Sequence, residues 1–172
     1  MIYLNIGSNL TSVFGDKFEN IKKTVNELTK LNIQIIKISS FYETPSYPDN
    51  KKPKFTNICI KLKTKMLAKN LLIKLKKIEK AIGRIKTKKN APRVCDIDII
   101  DFNKKILDSK NLVIPHPKSH LRNFVLYPLK EIYSEWKHPI SKKNVDILIK
   151  NLNINLRNEI TKMNESDIFI KE

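Results

Sequence analysis

The stretch LAKNLLIKLKKIEKAIG, residues 67–83, is followed by the basic segment RIKTKKNAPR (84–93) and by VCDIDIIDF (94–102). In the first stretch, apolar residues recur every three or four positions up to a glycine, which predicts a helix over residues 67–82. The last segment is rich in β-branched residues and predicts a strand. A helix joined to a strand by a cationic loop therefore forms the second half of the expected fold.

The first half of the chain has a similar alternation. Hydrophobic spacing predicts one helix and three strands there, namely a strand over 2–6, a helix over 16–30, and strands over 33–42 and 55–62. The order is thus β-α-β-β-α-β, which favours an α+β fold with a ferredoxin-like core. Beyond it we expect an irregular, proline-punctuated segment over 111–128 and a short helix over 142–152.

Composition excludes several classes of protein. The chain has 172 residues, of which 41% are hydrophobic and 30% are charged, as in a globular domain rather than a disordered segment. No apolar run approaches the ~20 residues of a membrane span. The two cysteines, Cys59 and Cys95, lie in apolar runs and are expected to be reduced, buried thiols of a cytoplasmic protein, although their number also permits a disulfide.

The net charge of +17 has two interpretations. Thirty of the 34 basic residues are lysines, which indicates a solvated surface of lysines, whereas a basic α+β module that binds RNA remains the alternative. Only four arginines are present: Arg84, Arg93, Arg122 and Arg157. Since arginine binds phosphate in a bidentate manner that lysine does not reproduce, these few positions are candidates for phosphate contacts.

Asp96 and Asp98 form the most informative pair. Residues i and i+2 of a strand point to the same side, so their carboxylates repel each other unless a divalent cation lies between them. Strict alternation places Asp101 on the opposite side, as a solvated charge at the strand end. Cationic segments precede and follow the pair, including Arg93 and His116. The arrangement fits a nucleoside triphosphate site with a metal ion, and an exposed face of an edge strand is the alternative. No GxxxxGK[ST] motif occurs.

The segment KNAPRVCDIDII (89–100) follows the pattern basic, any, small, Pro, Arg, two apolar, Asp-apolar-Asp. Other motifs accompany it in a fixed order: IGSNL (6–10), SSFYETP (39–45), Phe55 with Asn57, IPHP (114–117) and RNFVLYPL (122–129). Together they resemble the 6-hydroxymethyl-7,8-dihydropterin pyrophosphokinase family over residues 2 to about 150.

The resemblance implies an α/β/α sandwich with a ferredoxin-like βαββαβ core and additional strands and helices. Residues 1–152 would form one domain, followed by a polar extension over 153–172. The family transfers pyrophosphate from ATP to the hydroxymethyl group of the pterin and releases AMP, in folate synthesis. The implied requirements are ATP as co-substrate and two Mg²⁺ ions. The implied partners are these small molecules alone, with no nucleic acid, no membrane and a monomeric chain.

The resemblance also assigns roles to individual residues. Those implied in catalysis are Arg84, Arg93, Asp96 and Asp98, and the last two would also hold the metal ions. Those implied in nucleotide binding are Glu79, Lys86, Ile99, Lys110, Leu112, His116 and Arg122. Those implied in pterin binding are Gly7, Thr44, Pro45, Tyr47, Phe55, Asn57 and Phe124.

Two positions depart from the family pattern. Asn90 stands where a loop tryptophan often closes the pterin site, and Lys86 stands where the family has a loop arginine. These changes bear on loop closure and turnover rate rather than on the class of reaction. An inactive relative is a further alternative, against which the retention of Asp96, Asp98 and His116 argues.

Overall fold

The computed structural model describes residues 1–46, 49–85 and 91–163. The strands are β1 Ile2–Ser8, β2 Ile33–Ile38, β3 Tyr42–Thr44, β4 Phe55–Thr64, β5 Asp96–Phe102, β6 Leu107–Ser109, β7 Leu112–Ile114 and β8 Thr161–Lys162. The helices are α1 Lys17–Thr29, α2 Ala68–Ile82, α3 Asn123–Ile132, α4 Val145–Lys150 and α5 Ile154–Asn158. None of the helices in these ranges has the length and apolar character needed to cross a membrane.

The main sheet is antiparallel, and β1 lies in its interior. Its strand order is β5-β1-β4-β3-β8, and β2 pairs with the other half of the same edge of β4. A separate hairpin consists of β6 and β7. Every strand of the main sheet runs opposite to its direct neighbours, and β1 and β2, which are joined through α1, both pair with β4.

Helices cover both faces of the sheet. Side chains alternate between these faces along β1, where Leu4 and Ile6 pack against α1 and α2 in the larger core. Tyr3 points to the other face and joins a second core formed with α3 and α4 around Trp136. This second face also carries Asn5 and Gly7 of β1, so we call it the site face below.

Most predicted elements are confirmed, and the segment 111–128 is the main error. Its prolines predict an irregular segment, but α3 begins at Asn123 and runs through Pro128 to Ile132. Proline in a helix interior removes one hydrogen bond rather than all of them. The buried face of α3, with Val125, Leu126 and Leu129, outweighs that loss.

A β-bulge changes the orientation of Asp101, so the prediction of a solvated charge at this position is wrong. The register of β1 with β5 shifts between Tyr3 and Leu4, so that Asp101 pairs with Tyr3 and shares its face. Asp101 is 1% exposed, and its carboxylate accepts hydrogen bonds from Trp136 Nε1 at 2.9 Å and from the Lys104 backbone N–H at 2.8 Å. It anchors the second core to the turn that follows β5.

The segment after α4 is attached to the sheet. β8 pairs with β3, and the Met163 N–H donates to the Phe41 carbonyl over 2.8 Å. The Asn123 side-chain amide donates to the Leu156 carbonyl over 2.7 Å. The predicted boundary at residue 152 stays a prediction, but the chain beyond it, as far as Met163, contacts both β3 and the start of α3.

We predict that Asp101→Ala destabilises the fold by about 2–3 kcal/mol, because the buried Trp136 indole N–H loses a charged acceptor and the turn at Lys104 loses its hydrogen bond. Urea unfolding followed by tryptophan fluorescence measures the loss. Asp108→Ala is the matched control, since Asp108 is an exposed carboxylate on β6. Equal stability of the two variants would contradict a structural role for Asp101.

Candidate active site

Strand register brings the candidate residues together on the site face. Gly7 of β1 lies opposite Asn57 of β4 on one side and opposite Asp96 of β5 on the other. In the next row, Asn5 lies between Cys59 and Asp98. Two strand spacings separate Asn57 from Asp96, which is about 10 Å. The row therefore presents an amide at one end and a carboxylate at the other, with Gly7 between them.

Gly7 leaves the space that Asn57 occupies. A Cβ atom added at Gly7 would lie 2.6 Å from Asn57 Oδ1, which is closer than real Cβ contacts allow. Asn57 is 3% exposed, and one of the two polar atoms of its amide has no hydrogen-bond partner within the described part of the chain. A buried amide atom without a partner is suited to a polar ligand.

Asp96 is held by two arginines. Arg84 NH1 contacts Asp96 Oδ1, and Arg93 NH1 donates to Asp96 Oδ2 over 3.0 Å. Arg84 comes from the end of α2 and Arg93 from the segment before β5. Both guanidinium groups are therefore concentrated around one carboxylate, where they would also be within reach of a phosphate bound to it.

Asp98 is less fully neutralised than Asp96. Burial, together with the neighbouring Asp96 carboxylate, raises the pKa of Asp98 to about 6. Its Oδ2 atom is 3.5 Å from Arg122 NH1 and 3.8 Å from His116 Nε2. Both causes disfavour the ionised form of Asp98, and a divalent cation bound at this carboxylate would offset them.

His116 is a neutral hydrogen-bond donor at this site. Burial, together with the Arg122 charge, lowers the pKa of His116 to about 4. Its Nδ1 atom accepts a hydrogen bond from the Lys118 backbone N–H over 3.2 Å, so the proton of the neutral ring is on Nε2. The imidazole N–H therefore faces the Asp98 side of the site.

Glu79 is a buried carboxylate of α2 that contacts Arg84 and the start of β5. Its side chain is 3% exposed, and Oε1 accepts from Lys76 Nζ at 2.9 Å, from Arg84 NH1 and from the Ile97 backbone N–H at 2.7 Å. These contacts link α2 to β5 and fix the Arg84 guanidinium. The geometry gives Glu79 a positioning contact to Arg84; direct contact with a nucleotide stays a prediction.

The aromatic and loop residues lie at the Asn57 end. Phe55 and Phe124 are both half-buried, and the Arg122 guanidinium carbon lies 5.4 Å from the centre of the Phe124 ring. Thr44 is buried and pairs with Phe55 across β3 and β4, and the half-buried Pro45 follows it. This end of the site face thus combines apolar rings with a buried amide, as a flat heterocycle requires.

The remaining predicted residues are less closely grouped. The Ile99 side chain lies in the core on the opposite face, so only its backbone is available to a nucleotide. Lys110 is exposed at the tip of the β6–β7 hairpin, and Leu112 begins β7. Tyr47 and Lys86, together with Asn90, lie outside the described residues.

Two residues beyond the predicted set belong to the site. Asn9 accepts from the Arg93 N–H at 2.7 Å through Oδ1, and its Nδ2 donates to Ser46 Oγ and to the Pro53 carbonyl. It thereby connects β1 to both loops that flank the site. Asn5 contacts the Asn57 amide over 3.3 Å. A polar residue inside the apolar run IYLNI was the available signal for Asn5.

Comparison with known proteins agrees with this geometry. Residues 3–134 match the model of the family described as 7,8-dihydro-6-hydroxymethylpterin-pyrophosphokinase (HPPK). A relative in Aquifex aeolicus, named 2-amino-4-hydroxy-6-hydroxymethyldihydropteridine pyrophosphokinase, is 38% identical over 142 residues, or 83% of this chain and 86% of the relative. The Bacillus subtilis protein of the same name is 30% identical and shares 84% of each chain.

Other similar proteins are much longer than this chain. The folic acid synthesis protein FOL1 of Dictyostelium discoideum is 37% identical over 92% of this chain, which spans 23% of that protein. The solved structure of Plasmodium falciparum HPPK-DHPS with pteroate matches 94% of this chain and 45% of its own, at 18% identity and a TM-score of 0.70. The latter similarity concerns the fold alone.

We predict that Gly7→Ala destabilises the protein by about 1–3 kcal/mol, since the added methyl group overlaps the Asn57 amide. A double-mutant cycle in urea tests the cause. In an Asn57→Ala background, the same substitution should cost markedly less. An identical cost in both backgrounds would mean that Asn57 is not the obstacle.

Proposed function

The chain belongs to the 7,8-dihydro-6-hydroxymethylpterin-pyrophosphokinase family, and we propose that it transfers pyrophosphate from ATP to 6-hydroxymethyl-7,8-dihydropterin and releases AMP. The row Asn57–Gly7–Asp96 carries this proposal. One face of the sheet offers a buried amide for a heterocycle and, about 10 Å away, a carboxylate surrounded by arginines for a triphosphate. The reaction supplies an activated pterin for folate synthesis.

The pterin ring lies between Phe55 and Phe124, with its pyrimidinone edge at Asn57. The orphaned amide atom of Asn57 supports this assignment, because a ligand group is needed to satisfy it. Thr44 and Pro45 complete the same edge, and Gly7 leaves the room that the Asn57 amide occupies. We assign Tyr47, which lies outside the described residues, to pterin binding as well. The hydroxymethyl group then extends along the row toward Asp96 and Asp98.

Mg²⁺ fits the residues present. Asp96 and Asp98 supply hard oxygen ligands from one face of β5, and a cation beside them would offset the burial and the mutual repulsion that raise the pKa of Asp98. No cluster of three or more candidate ligands occurs in residues 1–46, 49–85 and 91–163. Mg²⁺ tolerates this, since phosphate oxygens and water usually complete its coordination. Two ions, held by these aspartates, would neutralise the triphosphate and orient it for attack.

The remaining groups bind and orient the triphosphate. Arg84 and Arg93 neutralise Asp96, and both guanidinium groups would be within reach of phosphate oxygens if cations neutralised the carboxylates instead. His116 donates through its Nε2–H, and Arg122 contributes a second cation on the same side. Lys86, Lys110, Leu112 and the Ile99 backbone complete the nucleotide side, and Glu79 holds Arg84 in place.

The bond changes follow from this placement. The pterin hydroxyl oxygen forms a bond to the β-phosphorus as the bond from that phosphorus to the α,β-bridging oxygen breaks. AMP leaves with the bridging oxygen, and the hydroxyl proton passes to solvent. The catalytic contribution of the chain is alignment and charge neutralisation rather than a strong general base.

We also propose the finer features of the assignment. The strand order β5-β1-β4 with β2 and β3 supports a ferredoxin-like core. Free, buried Cys59 and Cys95 support a reducing, cytoplasmic location. A monomer that acts on small molecules, without nucleic acid, is the simplest state compatible with a site built from one chain.

The decisive experiment measures AMP release from ATP and Mg²⁺ with and without 6-hydroxymethyl-7,8-dihydropterin. AMP should form only when the pterin is present, and chelation by EDTA should abolish it until Mg²⁺ is restored. Formation of ADP would mean attack on a different phosphorus. Binding of both substrates without turnover would indicate an inactive relative, and RNA binding with steep salt dependence would favour the alternative module.

We predict that Asp96→Asn and Asp98→Asn each lower kcat by more than about 100-fold, since even outer partners of metal ligands commonly contribute 10- to 100-fold. Asp108→Asn is the control, because that carboxylate is exposed on β6. Thermal melting should show that all three variants remain folded. Near-normal AMP release by Asp96→Asn would contradict the metal assignment.

A further inference from the structure

Asn5 is a buried polar residue that the proposed chemistry does not use. It is 4% exposed and lies on the site face between Cys59 and Asp98. Burying a side-chain amide costs free energy unless both its donor and its acceptor are satisfied. The direction in which the Asn5 amide points is therefore constrained by its neighbours.

Two orientations of this amide are possible. In one, Nδ2 donates to Asn57 Oδ1 over 3.3 Å, but Oδ1 then faces two carbonyl oxygens. In the other, Nδ2 donates to the carbonyls of Phe124 at 3.0 Å and Ile58 at 3.2 Å. Because oxygen atoms cannot hydrogen-bond to one another without a proton, the second orientation is favoured.

The helix α3 explains why the Phe124 carbonyl needs this donor. In a regular helix, that carbonyl accepts from the N–H four residues later. The residue at that position is Pro128, which has no N–H. The Asn5 side chain thus supplies the hydrogen bond that the proline removes, and this requirement fixes the amide.

The orientation of Asn5 then determines that of Asn57. With its Nδ2 turned to Phe124, Asn5 places Oδ1 3.3 Å from the nearest amide atom of Asn57. That atom must be Nδ2 for a hydrogen bond to form. The other amide atom of Asn57, which occupies the buried position without a partner among the described residues, is then the carbonyl oxygen.

We propose that Asn5 is a positioning residue that makes Asn57 present a hydrogen-bond acceptor to the pterin on the site face. The site then selects a pyrimidinone whose ring nitrogen N3 carries a hydrogen and rejects rings in which N3 is an acceptor. This inference rests on the proposed pyrophosphokinase function. It connects Pro128, the Phe124 carbonyl, Asn5 and Asn57 in one chain of fixed donors and acceptors.

The test compares two ligands on wild-type protein and on Asn5→Ala. One ligand is 6-hydroxymethyl-7,8-dihydropterin, and the other is its 2,4-diamino analogue, in which N3 lacks the hydrogen. In Asn5→Ala, the Kd for the pterin should rise about 10-fold and the preference over the analogue should fall about 10-fold, since Asn57 can now turn. The KM for ATP should stay unchanged.

Two further variants sharpen the result. Pro128→Ala restores a backbone N–H to the Phe124 carbonyl, so it should shift the ligand preference in the same direction but less. Tyr3 lies two residues from Asn5 on the same face of β1. The Tyr3→Phe variant should therefore leave the Kd values of both ligands unchanged. An equal rise in Kd for both ligands in Asn5→Ala would overturn the inference, because it would indicate loss of packing alone. Absence of pterin binding and AMP release in the wild type would instead overturn the proposed function.

Discussion

The position of β1 between β4 and β5 is the constraint on which the rest of the site depends. In β1, residues 2–7 each pair with one residue of β4 and one residue of β5. The register of β1 therefore sets the rows Asn57–Gly7–Asp96 and Cys59–Asn5–Asp98 at the same time. A slip of one residue would turn Asp96 and Asp98 into the core under α1 and α2. The alternation of Leu4 and Ile6 on the opposite face prevents this slip, because it would place them in the polar site. The apolar core thus specifies which side chains lie together on the site face.

The two aspartates of β5 differ in how closely cationic side chains surround them. Asp96 has two arginine partners, whereas Asp98 has more distant cations and a raised pKa. Buried Glu79 contacts the same Arg84 nitrogen that contacts Asp96. Such pre-placed cations and anions reduce the reorganisation that substrate binding requires. The large net positive charge of the chain adds a long-range attraction for ATP, which ionic strength would weaken.

Local patterns predicted the elements that carry this frame. The periodicity of residues 67–82 and the alternation of 55–62 correspond to α2 and β4 because their apolar residues face a single core. Pattern reasoning failed where a tertiary contact replaces a local one. Pro128 favours irregular structure by local rules, yet α3 continues through it because the apolar face of the helix is buried. Asp101 is a buried acceptor rather than a solvated charge because a bulge in β5 is invisible to strict alternation.

The candidate site was predicted less completely than the fold. Motif order predicts the carboxylates, the arginines and Asn57 as site residues, and strand register brings Asn57, Asp96 and Asp98 to one face of the sheet. The contributions of Asn5 and Asn9 depend on partners far away in sequence, at Phe124 and Pro53, which spacing cannot reveal. Sequence therefore predicts groups that contact substrates better than the groups that orient them.

The pairing of β8 with β3 has a consequence for the behaviour of the protein in solution. β3 would otherwise expose a row of unpaired backbone groups at the margin of the sheet, which is a template for association between chains. β8 occupies that margin, whereas no strand among the described residues pairs with the free edge of β2, which carries the exposed Ile36 and Lys37. The lysine discourages a second copy from adding a strand there. The pairing of β3 with β8 and the lysine on β2 thus both oppose the addition of a strand from another chain to this sheet.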